Sequence, residues 1–168
     1  IIHERHLLIR NFSLDLEQRI DLVQGLRMLL PSAVAMRMSF TSYGTGLSSG
    51  TPLIAFADNI DDTGRWGFDW NEPHVISAVL EHPYIQLLQS QWNDDISNLV
   101  TNIKPMNILS FSFIHDDPFE DNLISLTERF RLDEQVRRSE PVETDAMVRT
   151  LEDDAPPQGR LRYQYIEK

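Results

Sequence analysis

The densest chemistry in this 168-residue sequence is the run His115-Asp116-Asp117-Pro118-Phe119-Glu120-Asp121. Several carboxylates beside a histidine, following an apolar stretch, could hold Mg²⁺ or Mn²⁺ for phosphoester hydrolysis, because hard divalent cations take oxygen ligands and activate bound water. Helix-start chemistry accounts for the same residues. Asp117 suits an N-cap, Pro118 the first helical position and Glu120 the third position of a capping box. Asp121 adds favourable charge to the first turn. The capping reading is preferred, and it gives His115 no role.

A second acidic run, Asp58-Asn59-Ile60-Asp61-Asp62-Thr63-Gly64, has the composition of a cation loop. It lacks the alternating oxygen ligands, sixth-position glycine and twelfth-position glutamate of an EF-hand, and reads as a solvated turn. The five histidines are dispersed and form no His-Glu-x-x-His pair. Ser48-Ser49 lacks the Gly-x-Ser-x-Gly elbow, and Gly44-Thr45-Gly46 is not followed by the Gly-Lys-Ser/Thr of a phosphate-binding loop. With no cysteine, thiolate metal sites, disulfides and a cysteine nucleophile are excluded. The residues argue against an enzyme, and neither a cofactor nor a metal is expected.

The most unusual segment is Gly64-Arg65-Trp66-Gly67-Phe68-Asp69-Trp70-Asn71. Two tryptophans and a phenylalanine within five residues of an expected loop place large amphipathic rings near the surface. Trp and Arg dominate binding hot spots. Arg65, Trp66, Phe68 and Trp70 are therefore the candidate binding residues, joined by Tyr163 and Tyr165 of an expected edge strand at the chain's end. The competing reading is an aromatic plug over the end of the core.

The elements that would position these residues follow from periodicity. Leu7-Leu8-Ile9 with Phe12 reads as a short strand. Ser13 or Asp15 can cap a helix to about Leu30, where Leu16, Ile20, Val23 and Leu30 share a stripe and Pro31 ends it. Val34, Met36, Met38 and Phe40 alternate with Ala35, Arg37, Ser39 and Thr41, which predicts a strand buried on one face. Residues 43–52 read as a turn, 53–57 as a central strand and 58–71 as a loop. Residues 72–101 are helical, interrupted at His82-Pro83. Leu109, Phe111 and Phe113 alternate with Ser110 and Ser112, predicting another strand, and Phe119, Leu123, Leu126 and Phe130 a further helix. The expected organisation is an α+β core over 1–132, an acidic flexible arm over 133–158, and a terminal edge strand over 159–168 that returns to its own sheet or a neighbour's.

These elements predict a single α+β domain with a mixed or antiparallel sheet of about four to five strands and helices mainly on one face. The net charge of −11 and the scattered bases, with Lys104 and Lys168 the only lysines, disfavour direct nucleic-acid or anionic-membrane binding. A basic partner suits that charge, as does solubility alone. No apolar run approaches the roughly 20 residues that span a bilayer, and no signal peptide is visible. Compartment is left open between the cytoplasm and a particle. The expected function is a non-catalytic protein–protein interaction or assembly subunit, for instance of a phage particle, with self-association or a protein partner. The alternatives are a small-molecule-sensing regulatory domain and a metal-dependent phosphoester hydrolase using Asp61, Asp62, His115 and Asp116.

Overall fold

The computed structural model describes residues 7–13, 15–42, 54–57, 66–71, 81–92, 96–111 and 119–168. Among these residues the chain forms four short strands and seven helices. Strand β1 (Leu7–Arg10) leads into α1 (Leu16–Met28), then α2 (Ser32–Ala35), β2 (Phe40–Thr41), β3 (Ile54–Ala57) and β4 (Trp66–Asp69). Five helices follow: α3 (Pro83–Gln91), α4 (Ile96–Ser110), α5 (Phe119–Arg137), α6 (Thr144–Glu152) and α7 (Gly159–Glu167).

The sheet has the order β2-β3-β1-β4 and every pairing is parallel. The expected mixed or antiparallel sheet is thus corrected to a small all-parallel one within a mostly helical chain. Leu7 to Arg10 sit opposite Ile54 to Ala57 on one side and Trp66 to Asp69 on the other. The central strand is therefore flanked on both sides, which suits its apolar sequence: Leu8 and Ile9 are both buried. Parallel neighbours need crossover connections rather than tight hairpins. Helices α1 and α2 lie in the connection from β1 to β2, which passes over β3 to reach the far edge of the sheet.

Helix α1 begins where its sequence directs. Asp15 accepts from the Gln18 backbone N–H at 3.0 Å, and the Gln18 side chain accepts from the Asp15 N–H at 3.1 Å, a reciprocal capping box. Val23 and Leu30 are buried as the stripe predicts, but Leu16 is exposed. His82 caps α3 by accepting the Tyr84 N–H on Nδ1 at 3.1 Å, and Pro83 opens the helix, while residues 72–80 of the span expected to be helical lie outside the described set. The Tyr84 hydroxyl crosses to donate to the Leu29 carbonyl at 2.5 Å.

The alternation over residues 34–40 misleads. Ala33, Val34 and Ala35 are buried in succession, which a one-sided strand cannot achieve, and they form α2, leaving only Phe40-Thr41 as strand. Side chains distant in sequence secure this turn. Asn107 Oδ1 accepts the Ser32 N–H at 2.9 Å and Ser110 Oγ the Ala33 N–H at 3.4 Å. Ser110 accordingly belongs to helix α4, not to the strand expected around residues 109–113; residues 112–118 lie outside the described set.

The C-terminal region needs the largest correction. Helix α5 runs on to Arg137, α6 covers much of the span that reads as an acidic arm, and the expected edge strand over 159–168 is helix α7. Leu161 and Tyr165 share a face of the expected strand, but a spacing of four also puts them on one helical face. Tyr165 packs with Val136 and Met147, and Leu132, Val142, Leu151 and Leu161 surround them. A larger core unites Leu30, Val34 and Tyr84 with Leu99, Met106, Leu123 and Phe130, and a third cluster under the sheet holds Ile9, Phe12, Val23, Ile54 and Phe56. Met38 packs against both of these, so sheet and helices share a continuous interior.

Candidate functional site

All four strands point the same way, so their carboxyl ends lie along one edge of the sheet. In open parallel sheets this is the edge where ligand crevices form. At the ends of β1 and β4, Arg10 and Asp69 are register partners. Beyond Arg10 the chain turns at Asn11, whose φ of 55° is the left-handed conformation that Asn tolerates better than most residues. The Asn11 side chain donates from Nδ2 to Asp69 Oδ2 at 2.7 Å. Asp69 Oδ1 accepts the Asn71 N–H at 2.9 Å, and the Trp70 N–H donates to the Arg10 carbonyl at 3.0 Å. Both oxygens of Asp69 are thus engaged in holding the turn that carries Trp70.

Aromatic rings carry the arrangement outward from the core. Phe12 is buried, with its ring centroid 5.1 Å from Phe56 and 4.6 Å from Trp70, the latter edge-on. Phe68 stands edge-on to Trp70 at 6.0 Å. Edge-to-face stacking at these distances is favourable and directional. Trp70 ends the series 41% exposed. Arg19 of α1 braces the same edge. Its guanidinium donates to the Ser42 carbonyl at 2.6 Å and to the Phe12 carbonyl at 3.2 Å, and lies 5.5 Å from the Phe56 ring centroid. The partly exposed Trp70 ring therefore sits on a turn tied to the ends of both β1 and β4.

The expected binding residues consequently divide. Residues 66–69 are a strand rather than the loop their composition suggests; glycine and aspartate hide it, and pairing with Leu7–Arg10 supplies it. Trp66 opens β4, Phe68 is half-buried against the sheet cluster, and Trp70 is exposed. Arg65 lies outside the described residues, as do Asp58 to Gly64 and His115 to Asp117. Tyr163 and Tyr165 belong to α7, not to the sheet. Tyr163 is 69% exposed, whereas Tyr165 is buried and donates to Asp133 Oδ1 at 2.7 Å. Burial, and then the bond to Asp133, raise the Tyr165 phenol above its ordinary pKa. Tyr165 is thus a packing residue, and Tyr163 shares the outer surface of α7 with the exposed Ile166.

Reasoning from sequence missed Asn11 and Arg19. Asn11 follows a strand and precedes a capped helix, a place where a left-handed residue could have been suspected. Arg19 had no such signal, because its partners come from the ends of two strands. Among the described residues no three His, Asp or Glu side chains are grouped to hold a metal ion, and no helix is long and apolar enough to cross a membrane. Compared with protein families, with curated proteins and with solved structures, the chain matches none.

Proposed function

We propose that this chain is a non-catalytic protein-interaction or assembly subunit that docks through the aromatic corner at the carboxyl edge of its sheet. The observation that carries this reading is the placement of Trp70, exposed to solvent yet stacked on buried Phe12 and tied at its N–H to Arg10. A large ring held in place before binding loses little entropy on contact, which is why tryptophan dominates interface hot spots. The net charge of −11 adds long-range attraction for a basic surface.

Light scattering across a range of protein and salt concentrations tests self-association. A mass that grows with concentration, and growth that Trp70→Ala weakens at least about tenfold while the melting transition stays cooperative, is the expected result. Unchanged assembly by Trp70→Ala, or a strict monomer throughout, counts against self-association through this corner.

The all-parallel sheet favours a second reading, a small-molecule-sensing domain whose ligand sits at the same edge beside Asn11, Asp69 and Trp70. A ligand that binds only the folded state raises the melting temperature with concentration. No response across a broad metabolite panel would remove this reading.

A further inference from the structure

The cleft between α5 and α6 lies away from the aromatic corner and contains a group that neither reading uses. It encloses about 500 Å³, and its walls include Arg129, Arg131, Arg149, Thr150 and the carboxylates of Glu128 and Asp153. Arg129 is the unusual member, because its side chain is only 4% exposed. Its Nε donates to Asp133 Oδ1 at 3.1 Å, the oxygen that also accepts the Tyr165 hydroxyl. Its two terminal nitrogens are buried and have no hydrogen-bond partner among the described residues. The Asp153 carboxylate approaches them, with Oδ2 3.5 Å from one terminal nitrogen, longer than a charge-assisted hydrogen bond.

A guanidinium presents a planar fork of donors that matches two oxygens of a carboxylate or phosphate. Here Asp133 engages Nε and the terminal nitrogens are unmatched, in the wall of a cleft that Arg149 and Arg131 also line, the latter with its guanidinium donating to the Pro83 carbonyl at 3.1 Å. Asp153 stands just past the end of α6 and its side chain is 42% exposed, so its carboxylate can rotate into solvent without disturbing the core. We propose that this cleft is an oxyanion-binding site, in which a phosphate or carboxylate group displaces Asp153 and pairs with the terminal nitrogens of Arg129, with Arg149 and Arg131 at the mouth.

The test is thermal melting of the full chain titrated with inorganic phosphate, and separately with acetate, against chloride at matched ionic strength. Excluded salts raise melting temperatures without saturating, so saturation is the first criterion. Response to the variants is the second. Asp153→Asn removes the competing carboxylate and is expected to lower the half-saturating concentration several-fold. Arg129→Lys keeps the charge but loses the fork, and is expected to raise it at least tenfold. Because Arg129 is buried and its variant is at risk of misfolding, Arg149→Gln on the accessible wall supplies an independent arm, expected to weaken binding several-fold. A saturable rise with phosphate alone identifies a phosphoryl site, and one with acetate a carboxylate site. No saturable rise with either assigns the terminal nitrogens to ordered water and overturns the proposal. A rise with the same half-saturation in wild type, Asp153→Asn and Arg149→Gln overturns it equally.

Discussion

Tyr165 donates its hydroxyl to Asp133 at 2.7 Å across 32 residues of chain, and the same carboxylate oxygen accepts Arg129 Nε. One buried carboxylate therefore joins the end of the chain to the middle of α5. The flanking contacts are apolar, with Val136 and Met147 packed against the ring. Tyr165→Phe keeps this packing and removes only the donor. The expected loss is about 1.5–3 kcal/mol, the range for a hydrogen bond to a charged group, measured by urea denaturation. Asp133→Ala leaves Arg129 as a buried cation without its nearest partner, and should cost more, about 3–5 kcal/mol.

Alkaline pH should weaken the fold through the same contact. Burial, with the Asp133 bond second, raises the Tyr165 phenol, and burial raises that of Tyr84. A group whose pKa is raised by folding contributes stability that is complete below its unfolded value, near 10, and is lost as pH climbs through the folded value. Stability is thus expected to fall steadily above about pH 10. The slope should be shallower in Tyr165→Phe and in Tyr84→Phe. Equal slopes in wild type and both variants, read by denaturation at several alkaline pH values, would contradict this account.

Phe12 and Trp70 touch, yet their substitutions should separate stability from binding. Phe12 is buried between Phe56 and Trp70, and Phe12→Ala is expected to cost about 3–5 kcal/mol. Trp70→Ala removes a half-exposed ring and its edge contacts with Phe12 and Phe68, about 1–2 kcal/mol. Comparable losses in both variants would show Trp70 to be a plug for the core rather than a presented surface.

Asn11→Ala removes both the bond to Asp69 and the residue type suited to a φ of 55°. A loss of about 1–2 kcal/mol is expected. Asn11→Gly, which restores the backbone preference alone, should recover part of it. If glycine recovers nothing, the side-chain bond carries the whole effect.

Helix α5 ends in a two-bond cap in which the Glu140 N–H donates to the Gln135 carbonyl at 2.9 Å and the Ser139 N–H to that of Val136 at 3.1 Å. Ser139 holds the left-handed position, with φ of 57°. Glycine is the usual occupant there. Ser139→Gly should stabilise the chain by up to about 1 kcal/mol, seen as a rise in melting temperature. A fall would mean that greater freedom in the unfolded chain outweighs the relieved strain.

What the sequence determined on its own was mostly local. The start of α1 at Asp15 and the helix start at His82-Pro83 were legible because a cap is completed within three or four residues. The apolar runs of β1 and β3 were legible because they are buried whatever pairs with them. The direction of the sheet was not, since parallel and antiparallel pairing use the same alternation, and only the long-range register between Leu7–Arg10 and its two neighbours decides it. Residues 32–35 became a helix because Asn107 and Ser110, more than seventy residues away, accept its first N–H groups. The final segment fits both periods, as Leu161, Tyr163 and Tyr165 alternate while Leu161 and Tyr165 lie one helical turn apart. Burial against Val136 and Met147, and a carboxylate at Asp133 for the Tyr165 hydroxyl, selected the helix, and neither could be read from within the segment itself.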